Sequence, residues 1–245
     1  MSGLVILSQD AAMLVVDKPA GMHCAPLRPG ETGTLLQLVI EAFPEVGTLP
    51  GVKEIEPGLV HRIDRDTSGA VVIARTAAAF VALRASFQGL HVQKAYQAAC
   101  RAGDARAGEE RAVESRFAPL GVGRRKVRVV TADEPSARIR EAATSALYRT
   151  DAVLEAVHGD RAIVRAVIAR GFRHQVRAHL AFLGLPIFGD PLYGVAVPGG
   201  AEARMYLHAR RVELPHPVTG ARLAVESPVP SCFASLLEEK ENGIS

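Results

Sequence analysis

Nine consecutive residues, His61-Arg62-Ile63-Asp64-Arg65-Asp66-Thr67-Ser68-Gly69, put an imidazole, two guanidiniums and two carboxylates into one short stretch. They run straight into Ala70-Val71-Val72-Ile73-Ala74, which has the length and branching of a buried strand. A carboxylate at the mouth of a core strand is held rigidly, which suits a nucleophile or a base. Asp66, Thr67 and Ser68 are good turn formers and Gly69 tolerates positive φ, so that half of the stretch reads as a turn. Asp64 lies between Ile63 and the turn with no capping task, and is the candidate for chemistry. A second cluster runs from Arg170 to His179. On a helix, Arg177 lies about 100° round from the core-facing Val176. There it can reach a carboxylate at the helix edge, although a solvated flank is the plainer reading for a single Arg. The third candidate is Lys94-Ala95-Tyr96, where alternation in a strand puts Lys94 and Tyr96 on one face.

The elements that must position these groups follow from period and punctuation. Residues 3–7 and 13–16 read as a strand hairpin split by Ser8-Gln9-Asp10. Thr34 to Phe43 reads as a helix with Leu35, Leu36, Val39, Ile40 and Phe43 on one face, ended by Pro44. Thr76 caps a second helix through Phe87, closed by Gly89. Val92 to Ala99 is a strand, and residues 150–157 and 161–168 form a hairpin about His158-Gly159-Asp160. Arg173 to Leu183 is helical, with Val176, Leu180 and Leu183 on one stripe and Gly184 after it. The tail Glu238-Glu239-Lys240-Glu241-Asn242 reads as a helix end. Hairpins outnumber βαβ units, so the expected class is α+β with a mixed, mainly antiparallel sheet. No Pro/Gly linker separates two apolar halves, so residues 1–245 are expected to form one domain, with 101–145 as a basic loop or hairpin insertion.

Composition narrows the partners. At 245 residues, 48% hydrophobic and 22% charged, the chain has ordinary globular make-up. No run approaches the roughly 18–20 apolar residues of a membrane span. MSGLVILSQD has neither a basic leader nor a small-residue cleavage site. Cys24, Cys100 and Cys232 are far apart and odd in number, which excludes a disulfide scaffold and a CxxC knuckle and fits a reducing, cytoplasmic setting. Net charge is only +3, but residues 101–140 hold ten Lys/Arg against six acids. Only five of the 29 basic residues are Lys. Arg forks phosphates and stacks on bases, which is compatible with a nucleic-acid partner, although a solvated surface explains the charge equally well.

Taken together, HRIDRDTSG (61–69), KAY (94–96) and GFRHQVRAHLAFLGLPIFGDPLYG (171–194) resemble the RluA-type pseudouridine synthases. LVVDKPAGM (14–22), LHARRVELPHPVTG (207–220) and VESPVP (225–230) extend the resemblance over nearly the whole chain. It implies a mixed antiparallel sheet with flanking helices and a central cleft. It also implies isomerisation of an RNA uridine to pseudouridine, with no metal or organic cofactor. By position, Asp64 would be the essential aspartate, Arg177 its ion-pair partner, and Tyr96 the residue that stacks on the base and assists proton movement at C5. Arg62 would fill the space left by the extruded base, with His61, Arg65, Arg173, His174 and Lys18 as further RNA contacts. One departure stands out: such proteins commonly read Gly-Arg-x-His-Gln in the third motif, whereas Phe172 follows Gly171 here and Arg173 comes one place later. The implied partner is a structured RNA, with large-subunit ribosomal RNA slightly favoured over transfer RNA, acted on by a monomer without membrane or metal.

The reaction explains why these residue types are needed. It breaks N1–C1′, turns the uracil over and bonds C5 to C1′, so nothing is added and no carrier is required. It needs an ionised carboxylate and a base taken out of its stack, at a cost of a few kcal/mol. Burial favours the protonated form of a carboxyl group, and a guanidinium that is always charged opposes this. Three rival readings remain at this level. A metal-dependent hydrolase would use His61, His174, His179 and Asp64, but residues five apart on a helix diverge by about 140°. A catalytically silent RNA-binding or ribosome-assembly protein would use the same basic residues. A glycosidase on Asp64 and Asp66 lacks a clear acid. Asp190 in GDPLYG reads as a turn or cap, and His208 as a satisfied core or surface histidine.

Overall fold

Asp10 makes the first turn with its own side chain. Its Oδ1 accepts from the backbone N–H of Ala12 at 2.6 Å and of Met13 at 3.0 Å, joining β1 (Val5–Gln9) to β2 (Met13–Lys18). The computed structural model describes residues 3–199 and 201–238. They fall into two compact units, Met1–Tyr96 with His208–Pro228 and Gln97–Leu207 with Val229–Ser245.

The first unit is built on β2 and β3 (Ser68–Ala74), antiparallel from Met13↔Ala74 to Lys18↔Gly69. Alternation sends their side chains to two cores. Met13, Val15, Ala70 and Val72 pack with Ala79, Phe80 and Leu83 of α2 (Ala77–Gln88). Leu14, Val16, Val71 and Ile73 pack with Leu35, Leu36 and Val39 of α1 (Leu35–Ala42). All seven residues of β3 are buried because both of its faces are covered, and after Ser68 the strand carries no polar side chain. Thr34 and Thr76 cap the two helices through Gln37 and Ala79 N–H groups, and Pro44 stops the first by opening a 3₁₀ turn. β3 pairs in parallel with β9 (Leu207–Pro215) at Ser68↔His208 and Gly69↔Ala209. Gly69 has φ +115°, and a Cβ there would run into the Ala209 carbonyl, so the position requires glycine. β10 (Arg222–Glu226) pairs antiparallel with β9.

The chain passes from the first unit to the second within β4 (Gln93–Arg101). In the second unit, β8 (Arg161–Ile168), β7 (Tyr148–His158), β5 (Glu110–Leu120) and β6 (Lys126–Val130) lie in that order, each pair antiparallel. The basic segment 101–145 thus contains a hairpin, and β5 is an interior strand rather than an appendage. Val113, Ser115 and Phe117 are buried in alternation with charged neighbours, a period of two that the charges conceal in the sequence. A short α3 (Ala137–Ala142) follows, capped by Ser136. α4 (Gln175–Phe182) starts two residues later than its apolar stripe suggests, because His174 is left-handed at φ 58°. Its first six residues, Gln175 to Leu180, are all buried, so Arg177 is enclosed rather than on a solvated flank. α5 (Cys232–Glu238) ends the described chain, and the expected tail beyond Glu238 lies outside the described residues. The class is the expected α+β with a mixed, mostly antiparallel sheet. Among the described residues no helix is long and apolar enough to cross a membrane.

Candidate active site

In the first unit the loop 61–67 is held by three residues of the segment 18–24. Lys18 is fully buried, and its Nζ donates to the carbonyls of Pro19 (2.8 Å), Met22 (2.7 Å) and Arg65 (2.9 Å). Gly21 N–H reaches the same Arg65 carbonyl at 2.9 Å, and the Cys24 thiol donates to the Ile63 carbonyl at 3.4 Å. The Thr67 N–H closes the turn on the Asp64 carbonyl at 3.2 Å. Asp64 is therefore fixed between Ile63 and Arg65, whose backbone oxygens are both tied to this segment. Burial pushes the Lys18 ammonium down to about 8, opposed by the charges of Cys24, Asp66 and Asp64. The expectation that Lys18 meets an RNA phosphate gives way here. Its three donors are already committed to backbone carbonyls, and it serves the loop.

Tyr96 belongs to the same unit and is buried. Burial raises its phenol well above the ordinary value, and the negative charge of Asp64 raises it further. The hydroxyl therefore stays protonated beside the carboxylate. Lys94, two residues earlier on the same face, is buried with its Nζ 5.7 Å from the Phe87 ring centroid. His61 is turned inward. Its Nε2 accepts from Val72 N–H at 2.9 Å, and its ring stacks on Phe87 at 4.7 Å. Burial, with the charges of Lys94 and Arg84, pushes it down to about 3, so it is neutral at physiological pH. Arg62 is half-exposed and donates to the buried Glu56 at 2.7 Å, while Arg65 is exposed and pairs with Asp66 at 3.1 Å. The Ser68 hydroxyl, which opens β3, contacts His208 Nδ1 at 2.9 Å. His208 Nε2 contacts the Ser227 hydroxyl at 3.1 Å, and that hydroxyl donates to Asp17 at 2.9 Å. This buried polar chain ties the end of the motif to β2 and to the segment after β10, and it gives His208 a structural task.

The second unit holds Arg177. Its Nε donates to Asp190 Oδ2 and its Nη2 to Asp190 Oδ1, both at 2.7 Å, with the two side chains only 6% and 1% exposed. Asp190 Oδ1 also accepts from the backbone N–H of Leu192 at 2.8 Å and of Tyr193 at 3.2 Å. Burial works to raise the Asp190 carboxyl, but the hydrogen bonds and charge of Arg177 outweigh it and hold the group below the usual range. The Tyr193 hydroxyl accepts from Val127 N–H at 2.7 Å and lies 3.1 Å from His174 Nδ1. Arg173 is exposed and donates to the Arg124 carbonyl at 2.5 Å. Phe172, at the position where an Arg is common, stacks on Phe117 at 4.9 Å in a small aromatic core. His179 has a hydroxyl on each ring nitrogen, Ser115 on Nε2 and Thr150 on Nδ1, both at 2.8 Å. Burial pushes it down to about 4. Both nitrogens are taken, which removes His179 from the hydrolase reading. Among the described residues no group of three His, Cys, Asp or Glu side chains is placed to hold a metal ion.

The sequence thus pointed to Asp64, Tyr96 and Arg177. It missed Asp190, Glu56 and the inward roles of Lys18 and His61. The available signal for Asp190 was its place between Gly189 and Gly194, a turn too constrained for a surface loop.

Comparison with known proteins places the chain. Residues 12–182 match the family model described as RNA pseudouridylate synthase. The chain is 33% identical over 246 residues to "Ribosomal large subunit pseudouridine synthase D" of Pseudomonas aeruginosa, covering 96% of this chain and 71% of that protein. It is likewise 33% identical to an uncharacterized RNA pseudouridine synthase of Chloroflexus aurantiacus, covering 94% and 67%. Among solved structures, human RNA Pseudouridylate Synthase Domain Containing 4 has the same fold, with a TM-score of 0.72 at 21% identity, covering 96% of this chain and 92% of that one. By the extent of these matches the chain belongs to the RNA pseudouridylate synthase family, and it is an RNA-modifying isomerase.

Proposed function

We propose that this enzyme isomerises a uridine of large-subunit ribosomal RNA, with Asp64 as the essential carboxylate, Tyr96 beneath the base and Arg177 as the counter-charge. One observation supports the reading above the others: a loop anchored by Lys18 and Cys24 fixes Asp64 in the same unit as the buried Tyr96. A flat apolar face beside a fixed anion is what a flipped uracil requires. Asp64 acts while N1–C1′ breaks and C5–C1′ forms. C5 loses its proton once C5–C1′ has formed, and N1, freed from C1′, takes one up; the phenol, protonated throughout, hydrogen-bonds to the base during this exchange. Arg62, tethered at its guanidinium by Glu56, occupies the gap left in the strand and stacks on neighbouring bases. Arg65 and Arg173, both exposed, meet phosphates, and His174 lies beside Arg173. The ribosomal substrate rests on the name of the Pseudomonas relative. The setting is cytoplasmic, the working unit is a monomer, and residues 1–245 act as one catalytic domain. Tyr96→Phe is expected to keep RNA binding and slow product formation, whereas equal losses in both would make Tyr96 structural.

The decisive experiment maps pseudouridine in total RNA from cells with and without the protein, then repeats the mapping on an unmodified transcript incubated with the purified enzyme. A site in large-subunit ribosomal RNA lost in the first and restored in the second is the expected result. A lost site in transfer RNA would move the substrate. No lost site, with retained RNA binding, would favour the silent binding protein.

A further inference from the structure

We propose that Asp190 is a positioning residue for the isomerisation, holding the Arg177 guanidinium in one plane and one place. The inference rests on the reading that Arg177 serves the reaction, and it adds a residue that reading does not contain.

Four observations in the second unit support it. The fork takes the Nε–Nη2 edge of Arg177 with both carboxylate oxygens at 2.7 Å. Two parallel bonds fix rotation about the guanidinium as well as its distance, which a single bond does not. The carboxylate is itself immobile, because Oδ1 also accepts two backbone N–H groups of its own turn. That turn is hemmed in by Gly189, where a Cβ would meet the Arg204 carbonyl, and by Gly194, where it would meet the Ile187 carbonyl. The Tyr193 ring then lies 5.5 Å from the Arg177 guanidinium carbon. The same Tyr193 is pinned by Val127 N–H near the tip of the β5–β6 hairpin, which carries Arg124 and Arg125.

A turn cap does not account for this arrangement. Capping uses Oδ1 alone and needs no charge, since Asn or Ser would serve. Oδ2 and the negative charge are directed at Arg177. Nor is fold stability a sufficient account, because a fully buried ion pair adds little net stability over packed apolar side chains. What the fork does supply is a cation of fixed orientation, and displacement of a catalytic group by about 1 Å can cost about a hundredfold in rate.

The test uses the full-length enzyme and the RNA that loses pseudouridine in cells without it. Asp190→Asn and Asp190→Ser keep a cap acceptor and remove the charge. Asp151→Asn, which breaks an exposed pair with Arg149 in the same unit, is the control. Single-turnover rate, RNA Kd and the Arg177 Nε–H signal by NMR (assigned by its absence in Arg177→Lys) are measured on each. Expected are folded Asp190 variants with Kd within about threefold of wild type, the Nε–H signal lost and the rate lowered about 10- to 100-fold. Adding Asp190→Asn to Arg177→Lys should slow that variant no further, because the two act as one unit. A charge-removing variant that turns over at the wild-type rate overturns the proposal. So does an equal loss on the Arg177→Lys background, or failure of both variants to fold, either of which makes Asp190 a fold anchor only. Full turnover by Arg177→Lys would instead remove Arg177 from the reaction, leaving Asp64 and Tyr96 to be judged separately.

Discussion

Lys18 in the first unit and Arg177 in the second are both buried cations, and they are satisfied in opposite ways. Lys18 in the first unit meets three neutral carbonyls, one of them that of Arg65 in the Asp64 loop. Arg177 in the second meets a carboxylate fork. An ammonium is a compact charge with three donors that can converge on carbonyl dipoles, and a guanidinium is a plane that a carboxylate can clamp. The carbonyl cage shapes backbone: it draws residues 19, 22 and 65 to one point and so fixes the loop that carries Asp64. The fork shapes a side chain, since α4 already holds the backbone. The difference also sets what titrates. Neutral dipoles do not cancel the cost of burying charge, so Lys18 falls to about 8, while the Asp190 charge compensates Arg177 directly.

The largest expected effect lies on the group that the first cage serves. Asp64→Asn should lower single-turnover pseudouridine formation by more than about 10³-fold while leaving the melting curve and RNA Kd near wild type. Detectable turnover near the wild-type rate would mean the cage holds an ordinary loop, and the contrast between the units would lose its functional side.

Next in size is the contrast itself. Arg177→Met leaves Asp190 buried without its partner, and should cost about 3–5 kcal/mol of folding free energy in urea titrations. Lys18→Met removes no counter-ion and leaves carbonyls that can partly re-pair, so about 2–3 kcal/mol is expected. A larger loss at Lys18 than at Arg177 would reverse the ranking. It would show that backbone convergence, not charge compensation, is the dearer feature.

A third effect is shared by the two units. His61 and His179 are neutral in the fold, with values of about 3 and 4 against the ordinary 6.5. As pH falls, the unfolded chain takes up these protons first. Their stabilising contribution is therefore complete above pH 6.5 and lost as pH falls toward 4 and then 3. Unfolding free energy should decline by about 1–3 kcal/mol per group over that window. His179→Gln should flatten the upper part of the decline and leave the lower part, which belongs to His61. An unchanged profile would place the acid sensitivity in the carboxylates.

These comparisons also show what a sequence can disclose. β3 was legible because the apolar run Ala70 to Ala74 admits few other readings, and Thr76 announced its helix by capping chemistry. β5 was not, since Glu114 and Arg116 interleave with Val113, Ser115 and Phe117 and mask the alternation. Asp64, Tyr96 and Arg177 were marked by motif. The partner of Arg177 was not, because a fork between α4 and a turn thirteen residues on depends on how the chain returns, and the Gly-Asp-Pro spelling reads locally as a turn. Lys18 was misjudged for a related reason. Lysine is rarely buried, and only the fold reveals three carbonyls gathered around one ammonium.

The smallest expected effect concerns the exposed cations that border each anchor. Arg65 pairs with its neighbour Asp66, across an exposed contact worth less than about 1 kcal/mol. Arg173 instead donates to carbonyls of the β5–β6 turn at Arg124 and Lys126. If both meet phosphate, each Ala variant should reduce the slope of log K against log salt by about one. Affinity should fall about two- to fivefold for Arg65→Ala and somewhat more for Arg173→Ala, because the latter also releases the turn that carries Arg124 and Arg125. Binding measured at four salt concentrations separates the two terms: the shared change in slope reports the phosphate contact, and any excess loss at Arg173 that persists at high salt reports the released turn. Equal losses with equal slopes would show that the turn stands without Arg173, and an unchanged slope at either position would remove that residue from the RNA surface.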